Sequence, residues 1–175
     1  MVDPTVVAFH KDWIKNINRS GSLSGRVTQE DAEQIAAIAR SNFADIFAEA
    51  FLGAGYKVVE GPGPNVLRVR AGIIDLYINA PDVATTGRSR TYAVEAGEAT
   101  LFIELRDSTT GALLGRALDR RATRESGGFQ MASRSRNIAD FRALFKKWAE
   151  ICVKGLEDLK AQSPMPESPA SGQAP

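Results

Sequence analysis

From Thr28 onward, apolar residues recur every third or fourth position: Ala32, Ile35, Ala36, Ala39, Phe43, Ile46, Phe47 and Ala50. That period places them on one stripe and predicts an amphipathic helix of about two dozen residues. Thr28 offers a hydroxyl to a first-turn N–H, and Glu30 and Asp31 favour the positive end of the helix dipole. Gly53 and Gly55 end it. The same period returns near the C-terminus. There Asn137 is placed to cap a helix, and Phe141, Leu144, Phe145, Trp148, Ile151, Cys152, Leu156 and Leu159 form the predicted buried stripe.

Between the helices the period falls to two. Leu67, Val69, Ala71 and Ile73 alternate with Arg68, Arg70 and Gly72, predicting a strand over Val66–Asn79. Beyond Ile73 both faces turn apolar, which predicts a bulge or a more buried end. Ala99, Leu101, Ile103 and Leu105 share one face of a strand over Glu98–Arg106. Asp107–Gly111 reads as a hairpin turn and Leu113–Arg121 as the returning strand. Tyr56–Val59 reads as a short strand, followed by a turn at Gly61–Asn65. The first part of Val6–Ile17 reads as a strand, and Asn18–Gly25 as a polar Gly/Ser loop. Polar excursions cover 80–97 and 123–136.

The predicted order is β-α-β-β-β-β-α. Two amphipathic helices need a sheet face to cover, so the fold expected is α+β, a two-layer sandwich. Its mostly antiparallel five-stranded sheet has both helices on one face, and the first strand is free to pair parallel after the helical crossover. This domain spans residues 5–161. The Pro/Ser-rich stretch 162–175 reads as a disordered tail, since it cannot bury enough to offset the entropy of ordering.

Composition narrows the chemistry. The chain has 175 residues with 22 basic and 21 acidic, a net charge of +1, so no global field draws it to nucleic acid or membrane. Locally, Arg106–Lys147 holds ten basic residues against four acidic (net +6), leaving −5 for the remainder. Cys152 is the only cysteine and His10 the only histidine, which removes intramolecular disulfides, two-histidine metal sites and cysteine zinc sites. Cys152 falls on the last helix's stripe as a small core residue. Gly61–Pro64 lacks the Gly-Lys-Ser/Thr ending of a phosphate loop and precedes a strand. No catalytic residue, metal or cofactor is expected. No apolar run is long enough to span a membrane, and Met1–Pro4 does not read as a signal peptide, so an exported form would carry its signal ahead of this stretch.

Two features remain as candidates. Asp75, among Ile73, Ile74, Leu76 and Tyr77, requires a partner if buried, and an Arg partner is the expectation. The second is a group of arginines in the two excursions and the flanking elements: Arg88, Arg90, Arg116, Arg120, Arg124, Arg134 and Arg136. Arg116 and Arg120 share a strand face, with Arg121 on the opposite one. These residues form either a solvated, ion-paired face or a binding site for an anion or a partner's acidic patch. Nucleic acid is not the expected partner, because aromatic residues do not interleave with the arginines.

Three segments carry a family resemblance: Val66–Asp75, Glu95–Leu101, and Glu104–Gly111 continuing through Asp119–Arg121. Together with the closing helix Asn137–Lys160, they resemble proteobacterial lipoproteins grouped as domain of unknown function 3313. The likeness covers about residues 28–160. It implies an exported, periplasmic protein, anchored to the outer membrane through a lipidated N-terminal Cys that this sequence does not contain, with an envelope protein or lipid as partner. It carries no catalytic residues. The reading is therefore a non-enzymatic binding domain of an envelope lipoprotein. The alternatives are a carrier of a lipid or anionic small ligand, held between the sheet and the two excursions, and an unrecognised enzyme using Asp75 or Glu98 with Arg120.

Overall fold

The structure is a computed structural model and describes residues 1–20, 26–81, 92–93, 96–123, 130–131 and 133–162. Its elements are β1 (Val6–Phe9), α1 (Trp13–Ser20), α2 (Gln29–Gly53), β2 (Leu67–Ile78), β3 (Tyr92–Ala93), β4 (Gly97–Asp107), β5 (Leu113–Ala122), β6 (Gln130–Met131) and α3 (Arg134–Gln162). The main sheet has four strands in the order β1-β2-β4-β5, and β3 pairs with β6 in a separate two-stranded ribbon. β1 runs parallel to β2, while β2–β4 and β4–β5 are antiparallel.

The α+β class fits, with three corrections. The sheet is mixed and four-stranded rather than five-stranded. Tyr56–Val59 is not a strand; the Tyr56 hydroxyl donates to Glu157 near the C-terminal end of α3, and Val58 and Val59 are exposed. The described residues form three helices, because Trp13, Ile14 and Ile17, which follow the part read as a strand, belong to α1. Asn18 closes α1's exit by exchanging two hydrogen bonds with the Val27 backbone, at 2.8 and 2.9 Å. The tail at 163–175 lies outside the described residues.

Local chemistry explains most boundaries. Thr28 caps α2 in a capping box: its hydroxyl accepts from the Asp31 N–H, and the Asp31 carboxylate accepts from the Thr28 N–H. α3 begins three residues ahead of Asn137. Ser133 Oγ accepts from the Arg136 N–H, which frees Asn137 to donate its side-chain amide to the Ala80 carbonyl at 3.0 Å. The bulge expected beyond Ile73 is present as a register shift between Ile74 and Tyr77, with Asp75 at φ 51°. Gly111 closes the β4–β5 hairpin at φ 72°. Gly72 is required for another reason: a Cβ there would lie 2.3 Å from the Val6 carbonyl oxygen and 2.9 Å from the Phe102 ring. β1 can pair with β2 at this point only because that side chain is absent.

All large buried side chains lie on one side of the sheet. Trp13, Phe43, Ile73, Leu76, Phe145 and Trp148 are the largest. Phe43 stacks on Phe47 with centroids 4.1 Å apart and meets Phe145 edge-on at 5.6 Å, which joins α2 to α3. Each buried indole finds an acceptor: Trp13 donates to the Ile78 carbonyl (3.0 Å) and Trp148 to Asp119 (2.9 Å). The buried stripe of α3 stops at Ala149. Ile151 and Leu159, expected inside, are exposed, and Cys152 is half-buried.

Candidate functional site: an apolar cleft between two helix starts

α2 and α3 run in the same direction along the sheet. Their N-terminal turns meet over the end of β2, and their C-terminal turns meet at Tyr56 and Glu157. Between the two starts lies a cleft of about 60 Å³. Ile35, Ile38 and Ala39 of α2 form one wall, Ile138, Phe141 and Phe145 of α3 the other, and Leu76 and Ile78 of β2 the floor. Pro81, Arg134 and Asn137 stand at the rim.

The polar atoms nearby are mostly spoken for. Asn42 donates to the Ile38 carbonyl at 2.8 Å and accepts from the Arg142 guanidinium, and Asn137 is bonded to Ala80. Arg134 lies close enough to Asp31 to help hold that carboxyl below its ordinary pKa, although the Thr28 hydrogen bonds do more. The cleft is therefore an apolar hollow with Arg134 on its rim. A single water needs roughly 10–15 Å³ of such space, so it holds a few water-sized units. That suits one apolar side chain or a short alkyl group, and falls well below the 300 Å³ or so at which drug-sized ligand sites begin.

The sequence-predicted arginines divide between two places. Arg116 and Arg120 share the helix-free face of the sheet, as their alternation implied, and each binds a carboxylate of β4. Arg116 reaches Glu104 at 2.6 Å and Arg120 reaches Glu98 at 2.5 Å. Glu104, only 7% exposed, also accepts from Arg106 at 3.2 Å, and the Arg116 hydrogen bonds above all lower its pKa. Arg121, on the opposite face, pairs with Asp119 at 2.6 Å. Arg134 and Arg136 open α3: Arg134 is at the cleft rim, and Arg136 pairs with Asp140 at 3.8 Å. Arg88, Arg90 and Arg124 lie outside the described residues.

Asp75 is exposed at its bulge and adds a favourable charge to Arg120, whose pKa is raised chiefly by Glu98. Burial pushes the Cys152 thiol up to about 11, so it stays protonated at neutral pH and is a poor nucleophile. Among the described residues no group of three or more His, Cys, Asp or Glu side chains is arranged to hold a metal ion.

The helices that form the cleft also conceal it in the sequence. Ile35 and Ala39 read as ordinary core positions of the α2 stripe, and only the convergence of two parallel helix starts leaves them facing a hollow.

Sheet, helical layer and cleft together define a two-layer α+β domain with an apolar recess at one end. The chain belongs to the family described as "Protein of unknown function (DUF3313)", whose model matches residues 1–151. The match reaches ahead of the 28–160 stretch that carries the resemblance and stops inside α3. Among solved structures, a "putative lipoprotein" from Caulobacter crescentus CB15 is similar over 77% of this chain and 86% of its own, at 11% identity and a TM-score of 0.32. A likeness of that degree lends nothing to the reading of site or function. No curated protein matches the chain. Among the described residues, no helix is long and apolar enough to cross a membrane.

Proposed function

We propose that this chain is the binding domain of an envelope lipoprotein, held in the periplasm at the outer membrane. It works without catalysis, by taking an apolar group of an envelope partner into the cleft between α2 and α3. The observation that carries the reading is the cleft itself, with its apolar walls, its side-chain-sized volume and Arg134 at the rim. Family membership supports the setting, since the resemblance in Val66–Asp75 and Glu104–Gly111 implies export and lipid anchoring.

The carrier alternative draws on the same cleft and on Arg134, for a short apolar chain with an anionic end. The small volume favours a protein side chain over a whole lipid. The enzymatic alternative draws on Asp75, Glu98 and Arg120, which share the open sheet face. It would be retired if Asp75→Asn and Arg120→Gln left a cellular phenotype intact.

The test is native mass spectrometry of the natural full-length protein, extracted gently from its own envelope. The expected result is a triacyl increment at its N-terminus and a non-covalent partner that is lost in Ala39→Phe, which fills the cleft. A partner retained by a folded Ala39→Phe would remove the cleft from the reading. An unmodified cytosolic product would remove the envelope.

A further inference from the structure

The two edges of the main sheet differ. β1 is guarded: it is four residues long, lies just after Pro4, and shifts register between Val7 and Phe9. β5 is ten residues long, contains no proline, and pairs regularly with β4 from Gly115 to Ala122. Among the described residues no strand covers its outer side. Leu114 and Leu118 stand on it, each 63% exposed.

The direction of its backbone groups follows from the ladder. The Thr123 N–H donates to the Gly97 carbonyl at 2.8 Å, so position 123 turns its main chain toward β4. Counted back in twos, Arg121, Asp119, Ala117 and Gly115 do the same. Arg116, Leu118, Arg120 and Ala122 therefore turn their N–H and C=O groups away from the sheet. Such groups repeat about every 6.8 Å, a spacing that another extended strand matches. Charges often guard an edge of this kind. Here they are already compensated: Arg116 by Glu104 at 2.6 Å, Arg120 by Glu98 at 2.5 Å and Arg121 by Asp119 at 2.6 Å. The edge thus has no charge imbalance to select an acidic or a basic strand, and suits one whose charges are balanced in the same way.

We propose that the occupant is β5 of a second copy, paired antiparallel about a two-fold axis at Ala117, so that the two four-stranded sheets become one. In that register Arg116 of each copy faces Leu118 of the other, and Arg120 faces Leu114. Each arginine stem then lies along a leucine while its guanidinium stays on its β4 carboxylate. Neighbouring axes are worse, because like charges directly opposite destabilise a strand pair. An axis at Leu118 sets Arg116 against Arg120, one at Arg116 sets that residue against itself, and one at Asp119 brings two carboxylates together. Ala117 suits the axis. It takes a non-hydrogen-bonded position, where facing Cα atoms approach to about 4.5 Å, and its side chain is a single exposed methyl. The pairing draws on neither the cleft nor the envelope setting.

The test is sedimentation equilibrium of the chain of residues 1–175 over a concentration series reaching the millimolar range. Wild type is expected to pass from monomer to dimer. Leu118→Pro removes only an outward N–H and should weaken the dimer about a hundredfold or more, with thermal unfolding of the monomer little changed. Leu118→Lys, which keeps that N–H and sets an ammonium against Arg116 of the other copy, should weaken it about tenfold. Ala117→Cys in a Cys152→Ala background should form a disulfide-linked dimer on mild oxidation, and Ala122→Cys in the same background should not. A wild-type chain that stays monomeric throughout overturns the proposal and leaves the edge to a strand of another protein. A dimer that both Leu118 substitutions leave intact, or that Ala117→Cys does not link, overturns it as well, since the contact would then lie elsewhere.

Discussion

The two ends of this domain use the same residues in opposite ways. At the cleft end Ile35, Ile38 and Phe141 turn toward one another around a hollow, whereas at the hairpin end Val58, Leu113 and Leu114 turn toward solvent. The difference comes from where the helices begin and stop. Both start at the cleft end and face each other across β2, so apolar positions there have a partner layer. At the other end α3 runs on past its last buried residue, Ala149, and the β4–β5 hairpin carries its leucines beyond the helical layer. Side-chain hydrophobicity alone distinguishes neither end; the layer above it does.

The sharpest way to break the comparison is to truncate one residue at each end. Phe145, 1% exposed, lines the cleft, meets Phe43 edge-on and stacks on Trp148. Phe145→Ala should cost about 3–5 kcal/mol in urea unfolding, the range for losing a large aromatic from a packed core. Leu114→Ala should change stability by no more than about 0.5 kcal/mol. Comparable losses would mean that the hairpin end is packed against something, and the contrast would fail.

How much of this was legible in the sequence follows from the same geometry. The α2 stripe, its Thr28 cap, the 107–111 turn and the bulge beyond Ile73 are written in local spacing, and each is where the pattern put it. α1 was hidden because Val6, Val7 and Phe9 run straight into Trp13, Ile14 and Ile17 with little change of hydrophobicity. Tyr56–Val59 has strand-like composition, yet Tyr56 is anchored to Glu157 and Lys160 of α3 while Val58 and Val59 stay exposed and join no ladder. The exposed ends of Ile151 and Leu159 could not be read at all, because a helical stripe records period and says nothing of where the opposing layer stops. The arginine alternation was legible as a face, but its partners Glu98 and Glu104 lie on another strand, and pairing register is a tertiary fact.

A smaller effect separates the ends by the way each closes its backbone. Thr28→Ala removes the hydroxyl that accepts the Asp31 N–H at 3.1 Å, and should cost about 1 kcal/mol. Gly111→Ala forces a Cβ onto a residue at φ 72°, although nothing lies within 4 Å of it, and should cost on the order of 1 kcal/mol through backbone strain alone. Hydrogen exchange should locate each loss: the first in the opening turn of α2, the second in the β4–β5 hairpin. Spread of either effect across the sheet would show that the two ends are one cooperative unit.

The smallest effect, and the most selective, is acid titration. Asp31 is held below its ordinary pKa chiefly by Thr28, whose hydroxyl donates to the carboxylate at 2.7 Å and whose N–H donates at 2.9 Å. Asp107 is lowered at the other end chiefly by the Thr110 N–H at 2.7 Å, with the Thr110 hydroxyl and the Thr109 N–H adding to it. A carboxyl depressed in the folded state contributes stability that is complete above its unfolded pKa, about 3.9, and is lost as pH falls through the lower folded value. Below that pH, amide exchange in the first turn of α2 and at Thr110 should therefore accelerate beyond its intrinsic pH dependence. Asp31→Asn should abolish the acid step at the cleft end alone, and Asp107→Asn at the hairpin end alone. Because Arg134 at the cleft rim lies close enough to Asp31 to lower its pKa, the first substitution should also alter how the rim receives an anionic ligand, while the second should leave it unchanged. If Asp31→Asn removed both acid steps, the capping box and the hairpin would be reporting one global opening, and the two ends would not be independent.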